Sequence, residues 1–226
     1  MNQQPTITPI AYIRSDFPDK FGVPRQSNLA SSLRSTIVFT PEFRQKDALR
    51  GLEDFSHLWI IWGFSQSQQG QWSPTVRPPR LGGNQRMGVF ATRSPFRPNG
   101  LGLSSVAIDT IQLDTPTGPV IHVFGGDLID GTPIYDIKPY VPTDCHPEAT
   151  CSFADDALDY GLTVNIPTEI AETVEQDFLD QLTEILALDP RPAYQEDPTR
   201  VYGFVFQSRE IKFTVDGTNL SVMSIE

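Results

Sequence analysis

The chain is 226 residues long, 38% hydrophobic and 20% charged, with a formal net charge of −11. That composition belongs to a folded globular protein and excludes a disordered chain. The most apolar run, Leu58–Phe64, is far too short to cross a bilayer, and two cysteines, Cys145 and Cys151, exclude a disulfide framework.

From the N-terminus, Met1-Asn2-Gln3-Gln4-Pro5 shows no charged region leading into an apolar run, so a cytoplasmic protein is expected. Twenty prolines and 16 glycines punctuate the chain too often for long helices. Strands are expected at Thr6–Arg14, Thr36–Phe39, His57–Phe64, Met87–Thr92, Leu103–Gln112 and Val120–Gly125, all rich in β-branched and aromatic residues. His57–Phe64 is apolar on both faces and predicts a central strand. In Ser104–Ile111 the alternation puts Val106 and Ile108 on one side. No crossover helices separate these runs, which excludes a parallel βαβ sheet and leaves an antiparallel sheet or barrel.

After about residue 150 the pattern changes. Ile170, Val174, Phe178 and Leu182 recur every four residues, followed by Ile185 and Leu186, and predict one amphipathic helix that Asp189-Pro190 ends. Three strand-like runs follow, Tyr202–Gln207, Glu210–Val215 and Leu220–Ile225, with a hairpin turn at Asp216-Gly217. The fold class expected is mainly β: an antiparallel β-barrel core over residues 1–150 and a small C-terminal α+β domain over 151–226.

Charge is unevenly placed. Residues 1–108 hold 12 Lys and Arg against 6 Asp and Glu, whereas residues 109–226 hold 5 against 22. Between Phe55 and Ile108 there is no acid at all, but there are Arg77, Arg80, Arg86, Arg93 and Arg97. Such a stretch either pairs with the acidic half in the fold or presents a positive field to a phosphate-bearing partner.

The histidines His57, His122 and His146 have no ligand-like spacing, so no metal site is expected, and no phosphate loop or nucleophile elbow occurs. Three segments dense in Arg, Pro, Asn, Gly and Asp stand out instead. They are Val23–Gln26, the stretch from Arg77 through Asn84 and on from Gly88 to Gly102, and Asp127–Tyr140. They read as rigid loops, each leading out of a strand, which gathers them along one rim of a sheet.

These motifs carry a family likeness. Pro24-Arg-Gln26, Thr75-Val-Arg-Pro-Pro-Arg-Leu-Gly-Gly-Asn84, Ala91-Thr-Arg-Ser-Pro-Phe-Arg-Pro-Asn99, Asp130-Gly-Thr-Pro133 and Asp136-Ile-Lys-Pro-Tyr140 resemble the TrmO family, also called TsaA- or YaeB-like. Asp189-Pro-Arg-Pro-Ala-Tyr194 resembles the C-terminal signature of its bacterial members. The resemblance implies an all-β barrel, a homodimer, and transfer of a methyl group from S-adenosylmethionine to N6-threonylcarbamoyladenosine at position 37 of tRNA. Carried over by position, it implies a cofactor pocket at Pro24, Arg25, Gln26, Ser65, Gln66, Arg93, Leu103, Asp130, Gly131, Thr132 and Pro133. Two positions depart from the family pattern: Ser65-Gln66 replaces a frequent His-Gln, and Asn99-Gly-Leu-Gly102 replaces Asn-Pro-Ile-Gly.

On that reading Arg25 or Arg93 holds the cofactor carboxylate, and Leu103 flanks its adenine. The acceptor nitrogen is weakly basic and must lose its proton. Asp136 is therefore the expected base, and Lys138 the expected charge partner. Arg77, Arg80, Arg86 and Arg97 are the expected contacts to anticodon-loop phosphates, with Phe96 or Tyr140 stacking on the target base. Two other readings fit the same residues: a non-catalytic, cofactor-retaining RNA-binding barrel, and a methyltransferase of this fold acting on a small molecule.

Overall fold

The computed structural model describes residues 6–66, 72–78, 85–152, 160–191 and 197–226. Six strands close into a barrel: β1 (Ala11–Arg14), β2 (Arg34–Phe39), β3 (His57–Gly63), β6 (Leu101–Gln112), β7 (Val120–Phe124) and β8 (Pro133–Pro139). Their order is β1-β2-β7-β6-β3-β8, every pair is antiparallel, and β8 closes onto β1. A two-stranded ribbon, β4 (Thr75–Val76) with β5 (Met87–Gly88), stands outside it.

The inward positions explain the closure. Ile13, Ile37, Leu58, Ile60, Val106, Ile121, Val123 and Ile134 are all wholly buried and fill the barrel as one core. β3 sits between β6 and β8, as its apolar sequence predicts. Its outward Trp59 is covered too: its ring lies 5.5 Å from that of Tyr140, and its Nε1–H donates to Asp144 Oδ2 at 2.8 Å.

Several sequence expectations need correction. Asp127–Tyr140 is not wholly a loop, because Pro133–Pro139 is the closing strand. Its prolines stand at the two ends, and Ile134 and Ile137 face the core across a bulge opposite Ile61 and Trp62. β1 begins only at Ala11, after Pro9, and Met87–Thr92 gives two paired residues before turning into a 3-10 turn at Val89–Ala91.

The C-terminal part is a sheet with β10 (Tyr202–Phe206), β11 (Arg209–Asp216) and β12 (Asn219–Ile225) as antiparallel neighbours. A short β9 (Thr163–Asn165) runs parallel to β12. The expected single helix is two, α1 (Thr168–Ala171) and α2 (Gln176–Ala187). The break follows where the Thr173 hydroxyl donates to the Ile170 carbonyl at 2.7 Å and Glu175 takes an extended conformation. Phe178, Leu182, Ile185 and Leu186 of α2 pack on the inner face of the sheet.

That second core recruits the first part of the chain. Phe17, Ala30 and Leu33, from the segment between β1 and β2, are buried in it, and the Phe17 ring lies 5.4 Å from that of Phe206. Gly22, at φ +90°, lies so close that an added Cβ would stand 2.5 Å from the Phe204 ring. Gly22→Ala is expected to combine left-handed strain with overpacking and to cost about 2–4 kcal/mol. Thermal unfolding would show it as a fall of about 2–4 °C in Tm for each kcal/mol.

Candidate functional site

Alternating strand direction brings the ends of β1, β3 and β7 and the starts of β6 and β8 to one mouth of the barrel. There the loops enclose a cavity of about 920 Å³, in the size range of small-molecule and cofactor sites. Pro24, Arg25, Gln26, Ser65, Gln66, Arg93, Leu103 and Thr132 all line it, as do Trp62, Phe64, Phe96 and Gly102. Val23–Gln26, the part of the second segment from Thr92 to Gly102 and the start of the third thus meet at one mouth, whereas Arg77 does not line it and residues 79–84 lie outside the described residues.

Asp130, Gly131 and Pro133 are not among the lining residues. They build the turn from β7 into β8. The Asp130 carboxylate accepts from the Ser15 backbone N–H at 3.2 Å and from Arg14 Nη1 at 3.4 Å, and the Gly131 N–H donates to the Ile13 carbonyl at 2.9 Å. Gly131 has φ +74°, which glycine adopts without strain. Thr132 is buried, and its hydroxyl donates to the Ile129 carbonyl at 2.7 Å.

Sequence reasoning assigned no role to the polar centre of the cavity. Trp62 Nε1–H donates to Ser104 Oγ at 2.9 Å, and the Ser104 hydroxyl donates to Asp127 Oδ1 at 2.6 Å. Asp127 is the only acid among the described residues lining the cavity, against Lys20, Arg25, Arg93 and Arg97. Burial pushes its carboxyl above the usual range; the hydrogen bond from Ser104 and the charge of Arg93 offset this only in part. The available signal was Ser104 itself, a hydroxyl at an inward position of a strand whose next inward residue is Val106.

Arginines frame this centre. Arg93 Nη1 donates to Gln26 Oε1 at 2.6 Å, and Arg25 Nη2 donates to the carbonyls of Asp189 at 3.2 Å and Arg191 at 3.4 Å. Asp136 and Lys138 lie elsewhere. They form a 2.8 Å ion pair on the outer face of β8, both more than a third exposed, and neither lines the cavity. Hydrogen bonding to Asp136 raises the Lys138 pKa, so the lysine is held as a cation.

The arginine-rich stretch divides. Arg77 and Arg86 are exposed beside the β4–β5 ribbon, with Arg86 Nη1 3.5 Å from Thr75 Oγ1. Arg80 lies outside the described residues. Arg97 is turned inward on its own loop: Nη1 donates to the Thr92 carbonyl at 2.6 Å and the Val89 carbonyl at 3.3 Å, and the guanidinium lies 5.9 Å from the centre of the Phe90 ring, which stays exposed. Among the described residues, none of Arg77, Arg86, Arg93 and Arg97 forms an ion pair with an acidic side chain. No group of three or more described His, Cys, Asp or Glu residues is placed to hold a metal ion, and no described helix is long and apolar enough to cross a membrane.

Residues 12–145 match the family model for the tRNA-methyltransferase O N-terminal domain, and residues 160–226 match that for the TrmO C-terminal domain. The chain belongs to the TrmO family. It is 42% identical to the tRNA (adenine(37)-N6)-methyltransferase of Escherichia coli K12 over 228 residues, covering 96% of each chain. A Pseudomonas aeruginosa protein named as a candidate S-adenosylmethionine-dependent methyltransferase, RcsF, is also 42% identical, over 88% of this chain and 87% of its own. The crystal structure of TrmO from P. aeruginosa superposes with a TM-score of 0.78 at 33% identity, covering 100% of this chain and 98% of that one. The antiparallel barrel with a smaller C-terminal domain is thus the TrmO fold.

The buried carboxyl makes a stability prediction. A raised folded-state pKa means that Asp127 costs stability as pH climbs past the unfolded value, about 3.9, with the full cost reached above the folded value. Asp127→Asn, which keeps an acceptor for Ser104, is expected to raise Tm at pH 7. Scanning calorimetry should show that gain shrinking towards zero as the pH is lowered to 4.

Proposed function

We propose that this protein transfers a methyl group from S-adenosylmethionine to N6 of N6-threonylcarbamoyladenosine at position 37 of tRNA. One observation carries the reading: a single cavity gathers Pro24–Gln26, Ser65, Gln66, Arg93 and Leu103 around one sheltered carboxylate. It does so in a chain similar from end to end to a tRNA (adenine(37)-N6)-methyltransferase.

The donor set fits the cofactor. Arg25 and Arg93 supply guanidinium groups suited to a carboxylate, Asp127 a negative charge suited to an ammonium, a sulfonium or a ribose hydroxyl, and Leu103 with Phe64 an apolar wall for adenine. When bound, S-adenosylmethionine supplies an electrophilic methyl group. Transfer of that group needs alignment more than a covalent nucleophile.

In this proposal Asp136 takes the proton from the acceptor nitrogen, and Lys138, kept cationic by its ion pair, balances the charge that remains. Because they stand on the outer face of β8 and not in the cavity, this role requires the homodimer to bring that face of one subunit to the cavity mouth of the other. Arg77 and Arg86 meet the RNA backbone, with Arg80 between them in sequence. The exposed rings of Trp72, Phe90 and Phe96, the last of which lines the cavity, support either base stacking or burial against a second subunit, and the proposal includes a cytoplasmic homodimer. It divides the chain into an S-adenosylmethionine-binding barrel, residues 1–150, and a C-terminal α+β domain, residues 151–226. The ranges matched by the two family models support that division.

Labelled S-adenosylmethionine, offered with tRNA bearing or lacking threonylcarbamoyladenosine, should label only the first pool. Label in neither, despite measurable cofactor binding, would overturn the assignment. Asp136→Asn should lower kcat by about 10²-fold or more while leaving the Kd of S-adenosylmethionine unchanged. The two kinds of arginine should also separate. Arg86→Ala should reduce the slope of log K against log salt for tRNA binding by about 1 at unchanged Tm, whereas Arg97→Ala should lower Tm.

A further inference from the structure

The guanidinium of Arg25 is tethered from the other domain. Arg25 lies on the irregular segment between β1 and β2, where nothing in the local backbone fixes so long a side chain. Among the described residues, its two side-chain hydrogen bonds go to the C-terminal part, to the backbone carbonyls of Asp189 and Arg191 just beyond α2. Both use the hydrogens of one nitrogen, Nη2, so the Nε and Nη1 hydrogens remain to meet a ligand.

The two carbonyls are held in place by a compact ionic knot. Asp189 has φ +54°, a conformation that side-chain-bearing residues rarely adopt and that surrounding contacts must impose. Its carboxylate accepts from Arg191 Nε at 2.8 Å, Arg191 Nη2 at 2.9 Å and the Tyr160 hydroxyl at 2.7 Å, and from the Arg191 backbone N–H at 3.3 Å. The Asp189 and Arg191 side chains are only 12% and 11% exposed. Burial opposes ionisation of Asp189, but these donors together outweigh it and hold its pKa below the usual range. Pro190 restricts the one residue between the pair.

We infer that Asp189 and Arg191 are positioning residues for ligand binding: through their backbone carbonyls they hold Arg25 so that its remaining donors face the carboxylate of S-adenosylmethionine. The C-terminal domain thereby completes a pocket whose walls come from the barrel. This rests on the proposed role of Arg25 as carboxylate ligand, and the two claims are separable by experiment.

The probes are S-adenosylhomocysteine, which has the amino-acid end, and 5′-methylthioadenosine, which lacks it. Calorimetric Kd values for both are measured on the full chain, with Tm alongside. Arg25→Ala should weaken S-adenosylhomocysteine by about tenfold or more and change methylthioadenosine by less than about twofold. An unchanged ratio of the two Kd values would overturn the role of Arg25, and the inference with it. Asp189→Asn and Arg191→Lys, which lose the ionised acceptor and the planar fork respectively, should each weaken S-adenosylhomocysteine by about 3- to 10-fold, again sparing methylthioadenosine. If Arg25→Ala changes the ratio but neither of these does, the inference falls and the carboxylate role stands. Equal weakening of both probes would likewise overturn it, because a merely structural knot has no reason to sense the amino-acid end. Should Asp189→Asn fail to fold, Tyr160→Phe removes one donor to the same carboxylate and is read in the same way.

Discussion

Closure of β8 onto β1 is the constraint on which the rest of the molecule depends. With six strands alternating in direction and no free edge, the chain has no choice about where its connections emerge. The segments after β1, β3 and β7 and those before β6 and β8 share one mouth. A cavity assembled from five separate stretches of sequence follows from that geometry rather than from contacts among the loops. The Ile10–Ile134 and Ile13–Thr132 backbone hydrogen bonds, at 2.8 and 3.1 Å, help to seal the last seam beside the paired residues of β1 and β8.

Much of this was legible in the sequence, for physical reasons that vary by element. β3 was clear because a run of apolar residues bounded by polar ones can only be buried on both sides, and in a closed barrel it is. β8 was hidden because its defining residues, Pro133 and Pro139, are also the strongest loop signals. Only the pairing partners reveal that their missing N–H groups fall at strand ends. The helix break after Ala171 was equally hidden, since the four-residue apolar spacing runs through it without a gap.

The site shows the same division. Motif positions marked most of the cavity wall, yet the carboxylate at its centre carried no recognised role. Asp127 matters through Ser104 and Trp62, which are distant in sequence and meet only when β3 pairs with β6. Charge counting separated a basic stretch from an acidic half, but not Arg97, folded onto its own loop, from Arg86, which faces outward. Exposure, which decides whether a cation meets a phosphate or a carbonyl, is a tertiary property.

Burial of Phe17, Ala30 and Leu33 in the second core bears on how the chain is made. The barrel has all of its strands once Pro139 has been synthesised, because none of them comes from later in the sequence. Phe17 and Leu33, on the segment between β1 and β2, then still lack Phe204, Phe206 and Val222, which are synthesised later. For that interval the nascent protein carries an uncovered apolar seat beside its cavity mouth, and Arg25 has no acceptors from Asp189 and Arg191. The cavity wall is thus completed only after residues 189–222 have been made, in step with the part of the chain that covers the seat.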